Sequence, residues 1–73
     1  MTLDRVKRGQ LLKIMSIPDM QIRAQAIRFG IAEGEMVNCE EVVPAGPIVI
    51  RKNNQLLALG RGLARQITVQ CVE

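Results

Sequence analysis

The chain reads as mostly β: a small SH3-like five-stranded barrel with one α-helix inserted between strands one and two. Three observations predict this fold. Short runs of β-branched and long aliphatic residues recur with turn residues between them, only one stretch of any length has helical spacing, and a tight turn precedes the last run. A barrel is favoured over an open sheet because closure hides strand edges.

Residues 10–17, QLLKIMSI, supply the first strand. Pro18 ends it, and Asp19 offers an N-cap to the next element. Residues 19–29 form the helix: Met20, Ala24 and Ile27 recur at i, i+4, i+7, polar residues fill the positions between, and Gly30 suits the left-handed residue after a helix. Gly34 supplies a turn. Val37 and Cys39 then alternate with Met36 and Asn38 as a second strand, whose alternation fails at Glu40-Glu41, where a bulge is expected.

The Pro44-Ala-Gly-Pro47 break leads into a hairpin of residues 47–52 and 55–60, joined by Asn53-Asn54. Asparagine tolerates the positive φ of a two-residue primed turn. That turn fixes the register. Lys52 faces Gln55, Ile50 faces Leu57 and Ile48 faces Leu59, so four aliphatic side chains share one face. The other face carries Val49 opposite Ala58 and Arg51 opposite Leu56, more apolar than a solvent face requires. Residues 61–66 are expected to make one helical or 3₁₀ turn. Ile67, Val69 and Cys71 alternate with Thr68, Gln70 and Val72 as the last strand, with Cys71 toward the core.

Composition limits the function. At 73 residues the chain is expected to form a single domain over 1–73. A folded chain of this size exposes roughly 4,500 Å², burying about 60% of its unfolded surface. With 48% hydrophobic and 23% charged residues it has the means to fold. No apolar run approaches the length of a membrane span, and the charged N-terminus does not suit a signal peptide, so the protein is expected to be cytoplasmic and not membrane-inserted. Two cysteines do not make a secreted disulfide scaffold, and Cys39 and Cys71 are read as reduced thiols.

There is no histidine, which removes the commonest general base and metal ligand. Gly60-Arg-Gly62 is too short for a phosphate loop. Cys39-Glu40-Glu41 is read as a core cysteine followed by solvated glutamates rather than a metal site, and Met1, Met15, Met20 and Met36 as core packing. Arg51, Lys52, Arg61 and Arg65 are read as a solvated face. Phe29, the only aromatic residue, cannot supply the stacking platform of a single-strand nucleic-acid binder. The expectation is no enzyme, no cofactor, no metal site and no nucleic-acid partner.

Five segments together resemble the FeoA family across nearly the whole chain. Residues 3–9, LDRVKRG, resemble the family's opening L-x-x-L-x-x-G, with Val6 in the second apolar place. Residues 22–31, IRAQAIRFGI, resemble its helix ending L-G-L. Residues 33–37, EGEMV, resemble P-G-x-x-V, with Glu33 where proline is frequent. Residues 45–50, AGPIVI, resemble G-x-P-I/V-x-I. Leu57-Ala-Leu59, Leu63-Ala64 and Ile67-Thr-Val69 resemble the closing pattern, with Gly60 where the family often has arginine.

The resemblance implies an SH3-like barrel with an inserted helix. It implies an accessory role in bacterial ferrous iron uptake, through binding the cytoplasmic GTPase region of a FeoB-type membrane transporter. The face of Val49, Arg51, Leu56 and Ala58 is the expected partner-binding surface, since an interface has an apolar centre and a charged rim; the same face suits a homo-oligomer. The alternatives are a regulatory module similar to the SH3-like domain of iron-dependent repressors, or weak transition-metal binding. The repressor module is normally attached to a DNA-binding helical domain, which this chain, starting at its own methionine, is expected to lack.

Overall fold

The Asn53-Asn54 turn sets the frame for the sheet. In the computed structural model, which describes residues 1–72, Asn53 has φ 55° and Asn54 is not among the positive-φ residues. A positive φ at the first central residue is what a two-residue primed turn requires. β3 (Ile48–Lys52) and β4 (Gln55–Leu59) pair on either side of it with Lys52 opposite Gln55, Ile50 opposite Leu57 and Ile48 opposite Leu59. This is the register that the turn predicts.

The full sheet is antiparallel, in the order β4-β3-β2-β1-β5, with β1 at Leu11–Ser16, β2 at Met36–Val42 and β5 at Thr68–Cys71. β2 carries the expected bulge: its register against β3 shifts between Cys39 and Glu41. The extra residue resets the side-chain phase, so that Val37 and Cys39 before it and Val42 after it all face inward.

The inner face holds the core. Leu12, Ile14, Ile48, Ile50 and Ile67 are fully buried, each removing enough apolar area to stabilise the fold by about 1.5–3 kcal/mol before entropy is counted. Cys39 is buried among them, whereas Cys71 is half-buried, packing at the core's margin opposite Leu12. Both thiols are free. Exposed area, 4562 Å², is close to what mass scaling gives.

α1 spans Met20–Arg28. The Asp19 carboxylate accepts from the backbone N–H groups of Gln21 and Ile22 at 2.9 and 3.0 Å, capping its first turn. At the other end Gly30, with φ 81°, donates to the Ile27 carbonyl, and Ile31 N–H donates to the Ala26 carbonyl. This is a Schellman closure, in which buried Ile31 and Ala26 meet.

The helix is turned opposite to the periodicity reading. Met20, Ala24 and Ile27 face solvent, with Met20 83% exposed, while Ala26 is buried and Ile22 packs on the core. A nine-residue helix laid across one end of a barrel needs only an i, i+4 pair to seal it, and Ile22 and Ala26 are that pair. The methionines also depart from expectation: Met1, Met15, Met20 and Met36 are all exposed and none fills the core.

The two ends of the sheet are finished differently. Beyond β5, residues 1–3 run antiparallel: Leu3 N–H donates to the Ile67 carbonyl, Val69 N–H donates to the Met1 carbonyl, and Thr2 bridges Thr68. A 3₁₀ turn at Leu3–Arg5 then brings buried Leu3 against the core. β4 and β5 do not pair with each other. The short α2 (Arg61–Ala64) connects them instead, so the expected closure covers the β5 edge and leaves the β4 edge bare.

Arg61 ties this connection down. Its guanidinium donates to the Asp4 and Val43 carbonyls at 3.3 and 3.0 Å.

Candidate functional site: the outer face of the β3–β4 hairpin

Alternation along two paired strands sends Val49, Arg51, Leu56 and Ala58 to the side opposite the core. The structure brings all four together as two cross-strand pairs, Val49 with Ala58 and Arg51 with Leu56. Because a two-residue turn makes Lys52–Gln55 a hydrogen-bonded pair, these two are the non-hydrogen-bonded pairs, whose side chains lie closest. Leu56 is 54% exposed. It stands beside small Ala58 on its own strand, so it projects from the face instead of being levelled by its neighbours.

Arg51 is fixed rather than free. Its guanidinium meets both oxygens of Glu40, on β2, at 3.0 and 3.3 Å. The hydrogen bond from Arg51 holds the Glu40 carboxyl below the usual carboxylate range, and Glu40 in turn raises the guanidinium. Asn38, opposite Arg51, and Glu41, opposite Val49, complete a polar border. The arrangement is an apolar centre of Val49, Leu56 and Ala58, bounded on the β2 side by an ion pair. The described residues form no pocket and no cluster of three metal-ligating side chains.

The late basic residues do not act as one patch. Arg51 is paired to Glu40, Lys52 bonds Glu35 at 2.7 Å and also donates to the Gly30 carbonyl, and Arg61 is committed to backbone carbonyls. Likewise Glu40 is not a simply solvated glutamate. Burial pushes the Cys39 thiol up, away from the reactive thiolate.

Two glutamates do more than the sequence suggested. Glu33 accepts from the Ile17 backbone N–H at 2.9 Å and from Arg23 at 3.2 Å, thereby fastening the loop after α1 to the end of β1. It thus steadies the turn where the family pattern favours proline. Glu35 accepts from Ala32 N–H at 2.9 Å and from Lys52, and the Lys52 hydrogen bond is the main reason its carboxyl lies below the usual range. A carboxylate three residues from an N–H it can reach was the available signal. Lys52 thus anchors the hairpin tip to the loop after α1.

A second apolar exposure lies on α1, where Met20 and Ile27 stand 83% and 57% exposed.

Fold and topology together define a small SH3-like domain, five antiparallel strands with one inserted helix. The FeoA domain profile matches residues 1–71, and the chain belongs to the FeoA family. Among solved structures, a crystal structure of the iron uptake regulatory protein FeoA superimposes with a TM-score of 0.90 at 25% identity, covering 99% of this chain and 97% of that one. FeoA from Chlorobium tepidum gives 0.83 at 27% identity, covering 100% and 71%. Zinc-bound ScaR gives 0.90 at 16% identity over 99% of this chain but only 37% of its own, a likeness of fold alone. No curated protein sequence matches the chain.

Proposed function

We propose that the protein is a cytoplasmic accessory of ferrous iron uptake that works by binding, not by catalysis, and that its partner is the GTPase region of a FeoB-type transporter. Family membership supports the setting in iron transport. The observation that carries the binding role is the outer hairpin face, where Val49, Leu56 and Ala58 form an apolar centre and the Arg51–Glu40 pair a charged border. Leu56 is the projecting anchor, Ala58 and Val49 the floor beside it, and Arg51 the orienting charge.

An amide NMR titration with the soluble GTPase domain, with and without nucleotide, tests this. Shifts are expected at Val49, Arg51, Leu56 and Ala58 and not on the β1–β5 side. Leu56→Asp should abolish them while preserving the free spectrum; equal binding by that variant would sink the assignment of this face.

A further inference from the structure

We propose that the outer edge of β4 is a self-pairing edge, at which two copies of this chain join antiparallel, Leu57 beside Leu57, into one continuous ten-stranded sheet. β4 ends the sheet, and among the described residues no backbone group outside β3 bonds to it. The phase of the hairpin decides what that edge offers. With Lys52–Gln55 a hydrogen-bonded pair, Ile50–Leu57 and Ile48–Leu59 are hydrogen-bonded too, so Leu57 and Leu59 spend their N–H and C=O on β3. Leu56 and Ala58 point theirs away from the sheet.

Those two residues flank Leu57 symmetrically, and this selects the occupant. In an antiparallel pairing with the twofold axis at Leu57, Leu56 of each copy lies opposite Ala58 of the other, exchanging two hydrogen bonds at each place and four in all. Shifting the axis by one residue moves a partner into the turn at Asn54 or past the strand to Gly60 and forfeits bonds. The side chains agree, since large Leu56 then meets small Ala58 across the junction. The strand itself carries none of the usual protections of an edge: Gln55–Leu59 has no charge, no proline and no bulge. The opposite end of the sheet, by contrast, is covered by the chain's own first residues. An isologous contact of this kind closes on itself and does not propagate.

The inference rests on backbone geometry and not on the transporter reading. Sedimentation velocity on the full chain alone, from micromolar to millimolar, should show the mass rising toward a dimer. Raising salt should favour it, because each copy carries a net charge of +3 that salt screens. Hydrogen exchange should show the Leu56 and Ala58 amides slowing at least tenfold on concentration, while Leu57 and Leu59 stay protected throughout. Ala58→Pro removes one outward N–H and leaves the β3 ladder intact; it should weaken dimerisation at least tenfold. Should that variant misfold, Leu56→Lys serves the same purpose from the side chain. A monomer mass at every concentration, or a dimer undiminished in a folded variant, would overturn the proposal. No transporter is present, so either result leaves the NMR titration with the GTPase domain to be judged separately.

Discussion

The two faces of the β3–β4 hairpin share one backbone, yet they are built to opposite ends. Inward, Ile48, Ile50 and Leu59 are removed from water and Leu57 packs beside them; outward, Leu56 stands half in solvent next to Val49 and Ala58. Each face also ends in a paired cation. Lys52 on the inner phase is 21% exposed and bonds Glu35 and the Gly30 carbonyl just after the helix, whereas Arg51 on the outer phase is 41% exposed and bonds only Glu40. Alternate residues thus face the core and the solvent, and a substitution can strike the buried face while sparing the proposed binding face.

The largest effect should fall on the inner face. Ile50→Ala leaves a cavity among fully buried neighbours and is expected to cost about 2–5 kcal/mol, measured by urea unfolding. The adjacent pair gives the sharpest contrast. Leu57→Asp brings a carboxylate against the core and should cost about 1–3 kcal/mol, while Leu56→Asp, one residue on, should stay within about 0.5 kcal/mol and lose partner binding. Equal destabilisation by the two would erase the division between faces.

Acid should act more gently, and through Lys52. The Glu35 carboxyl is held below its unfolded value, so its pairing contributes fully above about pH 4.3 and is lost as pH falls through the folded value. Glu35→Gln should flatten that limb of the stability–pH curve. Smallest of all is the outer ion pair. Arg51→Gln should leave the melting temperature nearly unchanged, because half-exposed pairs contribute little, and should show itself in partner binding instead.

The hairpin was legible in the sequence because a two-residue turn leaves one register, and register fixes which side chains share a face. The bulge was legible for the same reason: Glu40-Glu41 interrupts an alternation that resumes at Val42. Helix α1 lacked such a constraint. Its residues contain two stripes, Met20–Ala24–Ile27 and Ile22–Ala26, and periodicity finds stripes without saying which one meets the barrel. The longer proved to be the outer. The clamps of Glu33 and Glu35 were hidden because they depend on contacts from distant segments, Ile17 and Arg23 for one and Lys52 for the other. Of the site, the four residues follow from alternation alone, while the fastening of Arg51 by Glu40 needed the third strand.

The bulge in β2 has a bearing on how this chain tolerates changes of length. Removing Asn38 would turn every side chain on one side of the cut to the wrong face, but removing one of the two glutamates at 40–41 would restore a regular ladder, Cys39 inward, one glutamate outward, Val42 inward. This strand therefore contains one dispensable position, and an alignment of relatives that differ in length by one residue within it should place its gap there.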